Sequence, residues 1–141
     1  MSNLYIDEIV NGIVIDHIQA SKSMDIYKLL KLGELDCTVA IIKNVPSRKM
    51  GRKDIIKIDE MLDVDIDALG YIDHGITVNV IRDGKNVEKK HPALPERIKN
   101  IVKCKNPRCI TSTEQELDHV FRLTDRENKV YRCIYCDMKA K

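Results

Sequence analysis

Four cysteines near the C-terminus constrain the fold of this chain more than any other feature of its sequence. Cys104 and Cys109 are separated by four residues, Cys133 and Cys136 by two, and 23 residues lie between the pairs. Each pair can present two sulfurs on one tight turn, and four thiolates around one ion form the closed tetrahedral site of structural zinc. The spacing therefore predicts one structural Zn²⁺ per chain. The alternative is a set of buried or redox-active free cysteines.

The segment before this cluster indicates a domain boundary. It contains Pro92 and Pro95, which lack backbone donors and have a fixed φ, so neither a helix nor a sheet is expected to run through it. We place the boundary near Pro95, which gives domains of residues 1–95 and 96–141. The second domain is near the size at which a metal ion is usually needed to complete a stable core.

The first domain alternates β-rich runs with short helical segments. Ser23 is a candidate N-cap with Gly33 at the end of its helix, a second helical turn lies near 64–69, and Asp83-Gly84 is a hairpin signal. The predicted fold class is α+β, with an N-terminal ferredoxin-like antiparallel sheet that carries two helices and an extra edge strand. A small all-β, zinc-ribbon-like domain follows it. Strands are predicted near 4–9, 13–18, 37–42, 53–59, 76–82 and 86–90, with a polar loop at 46–52.

Composition limits the possible partners. The 24 basic and 22 acidic residues leave a net charge of +2, which is not the bulk positive charge of a nucleic-acid-binding protein. No apolar run approaches the length needed to cross a bilayer, so we expect no membrane partner and a cytoplasmic location. Structural disulfides are disfavoured in that compartment, which strengthens the metal interpretation of the cysteines.

Basic residues on predicted strands are candidates for an anion site. The chain contains no glycine-rich phosphate loop, so a bound nucleotide would have to be held by side-chain cations. Asp16 and His17 end one strand, Lys53 and Lys57 share a face of another, and Lys89 precedes the domain boundary. A carboxylate beside cations suits a ribose next to a phosphate chain. Solvated lysines and a local Asp-His cap are the alternative explanation.

Five blocks of sequence, taken together, resemble one protein family along essentially the whole chain. They are Val14-Ile15-Asp16-His17-Ile18, the segment from Pro46-Ser47 through Met50-Gly51-Arg52-Lys53-Asp54 to Lys57-Ile58, Thr77-Val78-Asn79, Pro92 through Leu94-Pro95-Glu96-Arg97-Ile98, and the four cysteines. In this combination the chain resembles the regulatory chain of aspartate carbamoyltransferase. The resemblance implies a non-catalytic subunit that binds CTP as inhibitor and ATP as activator of the catalytic chain in pyrimidine biosynthesis. It also implies a regulatory-chain homodimer and a zinc domain that contacts the catalytic chain.

The resemblance further implies roles for individual residues. Asp16 would meet the ribose, His17 and Lys89 the phosphates, and Lys57 the ribose and base. Further implied nucleotide contacts are the backbone of Ile9 at the base edge, the basic side chain of Lys53, and Asn79, while Asn106 would contact the catalytic chain. The chain departs from the family pattern at Gly84, where an aromatic residue is common near the base.

The predicted hairpin makes Asn79 a geometric problem. With a strict two-residue turn at Asp83-Gly84, Asn79 pairs with Glu88, and Lys89 then points to the opposite face of the sheet. Asn79 and Lys89 can contact one ligand only if the hairpin is longer or bulged, or if Asn79 acts through its backbone.

Two other function classes are compatible with parts of the sequence. A zinc-ribbon module could contact nucleic acid or transcription machinery through Arg48, Lys49, Arg52 and Lys53, but the near-neutral charge argues against it. An enzyme is disfavoured because the sequence shows no convincing nucleophile–base pair and the predicted metal has a full ligand shell.

Overall fold

A computed structural model of the protein describes residues 9–140, which divide into two compact units between Ala93 and Leu94. In the first unit the strands are β1 (Gly12–Gln19), β2 (Val39–Ser47), β3 (Gly51–Ile58), β4 (Thr77–Arg82) and β5 (Lys85–Lys90), and the helices are α1 (Ser23–Leu29), a 3₁₀ turn (Leu32–Glu34) and α2 (Ile66–Ile72). In the second unit they are β6 (Arg97–Lys99), α3 (Ile110–Thr113), β7 (Val120–Asp125) and β8 (Val130–Cys133).

The first unit is built on a five-stranded sheet in the order β2-β3-β1-β4-β5, with every neighbouring pair antiparallel. The first four strands and the two helices follow the ferredoxin-like order, and β5 is the extra strand at one edge. The small second unit has a separate three-stranded sheet in the order β6-β7-β8. The predicted α+β fold class is therefore confirmed. Most of the strand predicted at 4–9 lies outside the described residues.

Strand alternation sends one face of the large sheet into an aliphatic core. Ile13 and Ile15 of β1 are buried, and their cross-strand partners on β3 are Ile58 and Ile56. Ile26 of α1 and Leu69 of α2 belong to the same buried cluster, so the helices cover this face. The opposite face carries the intervening residues of each strand, and the polar candidates of the sequence analysis lie there.

Two local predictions were wrong. The polar loop expected at 46–52 is shorter, because Pro46 pairs with Arg52 and Ser47 with Gly51 across β2 and β3. Proline is tolerated there because β2 is an edge strand. Ser23 does not cap α1 with its side chain; its hydroxyl donates instead to the carboxylate of Asp54 at 2.6 Å. Gly33 lies in the 3₁₀ turn after α1.

The second unit has a small core of its own. Ile98 of β6, Phe121 of β7 and Tyr131 of β8 are almost fully buried, and the Tyr131 hydroxyl donates to the backbone carbonyl of Pro95. Among the described residues, none forms a helix both long and apolar enough to span a membrane.

Replacing Gly70 in α2 should destabilise the first unit. A Cβ at this buried position would lie well inside van der Waals contact with the backbone carbonyl of Ala93, which cannot rotate away. We expect Gly70→Ala to lower the free energy of unfolding by about 2 kcal/mol, in the range of overpacked cores. Urea denaturation measures it. Gly75→Ala is the control, because a Cβ there meets only the Asp73 carboxylate at 3.3 Å, and an unchanged midpoint for Gly70→Ala would contradict the packing argument.

Candidate functional site

The second unit brings the four predicted ligand cysteines together. Cys104 lies in the loop after β6, Cys109 immediately precedes α3, Cys133 ends β8 and Cys136 lies in the turn that follows. The Sγ atoms of Cys104 and Cys136 are 3.5 Å apart, those of Cys109 and Cys133 are 3.7 Å apart, and all four lie within 4.8 Å of one another. None of these cysteines is in a disulfide. The geometry is that of a single metal centre with four sulfur ligands.

Hydrogen bonds to the sulfurs favour their thiolate form. The backbone N–H groups of Asn106, Tyr135, Cys136 and Met138 are directed at cysteine sulfurs in the two turns. The Thr111 hydroxyl adds a further donor at 3.1 Å from Cys109 Sγ. Donors of this kind stabilise negative charge on sulfur and hold the ligands in position around an ion.

Without a cation the cluster resists full ionisation. Burial raises the pKa of Cys104 to about 12 and also raises the pKa of Cys133. For Cys136, burial opposes ionisation, but hydrogen bonds from Met138 and Asn106 lower the pKa to about 7. Four negative charges within so small a volume repel one another strongly, and a bound metal ion removes that repulsion.

Asn106 braces the first cysteine turn. Its side-chain oxygen accepts from the Arg108 N–H at 3.0 Å, and its backbone carbonyl accepts from the Cys109 N–H at 3.1 Å and the Ser112 hydroxyl at 2.7 Å. Asn106 is therefore rigidly placed at the surface of the cluster. Across the same cluster, the Cys104 N–H donates to Nδ1 of His119 at 3.1 Å, a contact that the spacing of the cysteines gave no means to predict.

On the open face of the large sheet, four strands align three of the predicted nucleotide residues, Lys57, Asn79 and Lys89, in one row. Val14 of β1 pairs with Lys57 of β3 on one side and with Asn79 of β4 on the other. Asn79 in turn pairs with Lys89 of β5. Directly paired residues have side chains on the same face, so Lys57, Val14, Asn79 and Lys89 follow one another in a row on the face opposite the aliphatic core.

A bulge in β5 produces this alignment. Val80 pairs with Glu88 but Ile81 pairs with Asn86, so Val87 is an extra residue on β5. The strict two-residue register, in which Asn79 would face Glu88, is therefore wrong. The extra residue moves Lys89 to the face of Asn79, which is one of the geometries under which both can contact one ligand.

A second bulge lies in β1, just beyond Val14. Pairing of β1 with β3 shifts between Ile15 and Ile18, and His17 adopts a positive φ of 59°. Asp16 accepts the His17 N–H at 2.6 Å and pairs with Lys53 Nζ at 2.9 Å, while His17 Nδ1 lies 3.1 Å from the Thr77 hydroxyl. The Cα atoms of Lys53 and Lys57 are about 13 Å apart along β3, given the rise of a strand.

The β4–β5 turn connects the row to Ile9. The Gly84 N–H donates to the Val10 carbonyl at 2.9 Å, and the Asp83 N–H donates to the Asn11 side chain at 3.1 Å. These bonds hold the segment after Ile9 against the turn. Asn86 was not among the predicted site residues, but its Nδ2 donates to Asn79 Oδ1 at 2.8 Å. Asn86 pairs with Ile81, two residues from Asn79 on β4, so a strict hairpin register already places it on the face of Asn79 and could have indicated this contact.

Comparison with known proteins gives consistent matches to both units. The family model described as aspartate carbamoyltransferase regulatory chain, allosteric domain, matches residues 4–93, and the one described as the metal binding domain of the same chain matches residues 96–141. An aspartate carbamoyltransferase regulatory chain of Clostridium botulinum is 52% identical over 134 residues, covering 95% of this chain and 92% of the relative. The regulatory chain of Clostridium acetobutylicum is 49% identical with the same coverage, and that of Bifidobacterium longum is 44% identical over 136 residues, covering 96% and 98%.

Proposed function

The chain belongs to the aspartate carbamoyltransferase regulatory-chain family, a non-catalytic subunit of a pyrimidine-pathway enzyme, and we propose that it senses nucleotides on its sheet face. The proposed effectors are CTP as inhibitor and ATP as activator of the catalytic chain. Each domain has one proposed function. Residues 1–95 form the allosteric domain, and residues 96–141 form the zinc domain that contacts the catalytic chain.

The observation that carries the nucleotide proposal is the row of Lys57, Asn79 and Lys89 on one open sheet face. Two lysines flanking an amide offer cations for phosphates and a hydrogen-bonding group for a base or ribose. Lys89 and His17 are assigned to the phosphates, Lys57 to the ribose and base, and Asp16 to the ribose hydroxyls, with Lys53 beside them. The backbone of Ile9 is assigned to the base edge.

We propose Zn²⁺ as the metal of the cysteine centre, with one ion per chain. Tetrahedral zinc with Zn–S bonds of about 2.3 Å places its sulfurs about 3.8 Å apart. The two closest sulfur pairs of this site, at 3.5 Å and 3.7 Å, fit that spacing, and four sulfur ligands leave no open position for catalysis. The proposed location is the cytoplasm, where the reducing environment keeps such cysteines from forming disulfides.

The surface of the zinc centre supports the proposed contact with the catalytic chain. Ile110, Tyr135 and Met138, which flank ligand cysteines, are 48%, 48% and 42% exposed. Apolar side chains fixed around a rigid metal centre, with the braced Asn106 beside them, are typical of a protein-binding surface.

The proposed homodimer uses the outer edge of β2. This strand is at one edge of the sheet, and Ala40 and Ile41 on it are only half-buried within one chain. An apolar unpaired strand edge favours pairing with a second copy. A monomer at micromolar concentration in light scattering would contradict this part of the proposal.

Regulation by this chain is a linkage between two binding events. A nucleotide can change the activity of the catalytic chain only by binding more tightly to one state of the whole assembly than to another. CTP and ATP must therefore prefer different states if one inhibits and the other activates.

A calorimetric titration of the zinc-loaded chain with CTP and with ATP tests the nucleotide proposal. We expect saturable binding of both nucleotides with one site per chain, and displacement of one by the other. Absence of binding by a folded, zinc-replete protein would refute nucleotide sensing and leave the metal centre unaffected.

A further inference from the structure

Asp54 of β3 is a fully buried carboxylate, with 0% of its surface exposed, to which none of the proposed roles refers. It lies on the core-facing side of its strand, in alternation with Lys53 and Lys57 on the open face. Burying a carboxylate is costly unless its oxygens are hydrogen-bonded, so its partners indicate why it is kept.

Four donors from two other segments satisfy the carboxylate. Oδ2 accepts from the Ser21 N–H at 3.1 Å, from the Ser23 N–H at 3.2 Å and from the Ser23 hydroxyl at 2.6 Å. Oδ1 accepts from the Asn44 N–H at 2.8 Å. Burial acts to raise the pKa of Asp54, but the hydrogen bonds from Ser23, Asn44 and Ser21 outweigh it, so the pKa lies below its usual value and the group stays ionised.

These bonds fix the far side of the bulge that presents Asp16 and His17. The pairing of β1 with β3 is lost after Ile15 and resumes where Ile18 meets Asp54 itself. Ser21 and Ser23 follow at once and are held by the same carboxylate. The bulge is therefore fixed on one side by the regular ladder and on the other side by Asp54.

Asp54 also adjoins Lys53, which lies on the open face of the sheet. Lys53 precedes Asp54 in β3, pairs with Gln19 of β1 and Val45 of β2, and places its Nζ 2.9 Å from Asp16. This ion pair is largely shielded from solvent, since the side chains of Lys53 and Asp16 are 17% and 23% exposed. A small shift of β1 relative to β3 at this point would separate the two charges.

We propose that Asp54 is a positioning residue for the nucleotide site: by holding the Ser21–Ser23 turn and β2 against β3, it sets the geometry of Asp16, His17 and Lys53 on the opposite face. This inference rests on the proposed nucleotide-binding function. It assigns a role in affinity to a residue that cannot touch the ligand.

Asp54→Asn is the direct test, because the amide keeps the shape and loses one acceptor oxygen. We expect the CTP dissociation constant, measured by calorimetry on the zinc-loaded chain, to rise about tenfold. This is the change expected when the loss of one charge-assisted hydrogen bond at Asp54 weakens the geometry of the site. In a Lys53→Ala background the same substitution should have a clearly smaller effect, since the two residues act through one geometry. Ser23→Ala should weaken binding in the same direction and by less.

Leu69→Ala is the matched control for a general loss of stability. Leu69 is fully buried in α2, and its loss should destabilise the same unit without altering the partners of Asp54. We expect this variant, titrated at a temperature where it is folded, to bind CTP like the wild type. Equal weakening in Leu69→Ala, or wild-type affinity in folded Asp54→Asn, would overturn the proposal.

Amide hydrogen exchange without nucleotide separates this inference from the proposed function. Asp54→Asn should speed exchange at His17 and Ser21 relative to Leu69→Ala, because the bulge loses its anchor. If the wild-type chain bound no nucleotide, both the proposed function and the role of Asp54 in affinity would be refuted. The exchange rates would still measure whether Asp54 anchors the bulge. Unchanged exchange would refute the positioning role whatever the nucleotide result.

Discussion

Chelation of the metal is expected to unfold residues 94–141 while residues 9–93 stay folded. The second unit buries few large side chains, chiefly Ile98, Phe121 and Tyr131, and the four cysteines of its two turns converge on one site. Structural zinc sites contribute about 10–16 kcal/mol of apparent binding free energy, which is as large as the whole stability of a typical domain or larger. The first unit has a separate aliphatic core and does not depend on the ion.

Metal analysis and two-dimensional NMR measure this effect together. Purified protein should contain one zinc per chain, and adding a chelator should collapse the resonances of the second unit to random-coil positions. Cys109→Ser should behave like the chelated protein, whereas Cys37→Ser is the matched control, since Cys37 packs beside the core of the first unit. Purified protein that lacks metal and keeps a folded second unit would contradict the prediction.

Removing both lysines of the sheet row should nearly abolish nucleotide binding. Lys57 and Lys89 flank Asn79 on the open face, and each would form charge-assisted hydrogen bonds to the ligand. Each single alanine substitution should raise the dissociation constants for CTP and ATP at least about tenfold, and the double substitution should raise them about a hundredfold or more. Calorimetry at low and moderate salt measures the affinity and how far salt weakens the attraction between the lysines and the nucleotide.

Lys28→Ala is the control for the loss of a positive charge. Lys28 is exposed on α1, which covers the opposite face of the sheet, so its removal should leave both dissociation constants unchanged. Equal losses in Lys28→Ala and Lys57→Ala would show that net charge, rather than the row, determines binding.

The metal centre could be predicted from sequence because its information is local. The spacing of Cys104, Cys109, Cys133 and Cys136 fixes two turns, and a small domain offers few ways to arrange them. The ferredoxin-like sheet was also predictable. The alternation of aliphatic residues and the order of strands and helices can be read correctly even when the predicted ends of these elements are wrong.

The details of the nucleotide face could not be predicted, because they depend on bulges. The extra Val87 changes which residue faces Asn79, and no turn signal at Asp83-Gly84 reports it. Ser23 has the residue type of a helix cap, but a buried carboxylate from a distant strand competes for its hydroxyl. Interactions between residues far apart in sequence therefore decide the geometry of the site, and local patterns do not encode them.

The most direct test of the account is the activity of catalytic chains of aspartate carbamoyltransferase, measured with and without this regulatory chain across a range of CTP concentrations. We expect CTP to lower the rate only when the zinc-loaded chain is bound, and we expect the double Lys57→Ala, Lys89→Ala variant to assemble but to abolish the effect. A rate that CTP leaves unchanged in an assembly shown to contain the wild-type chain would contradict the account.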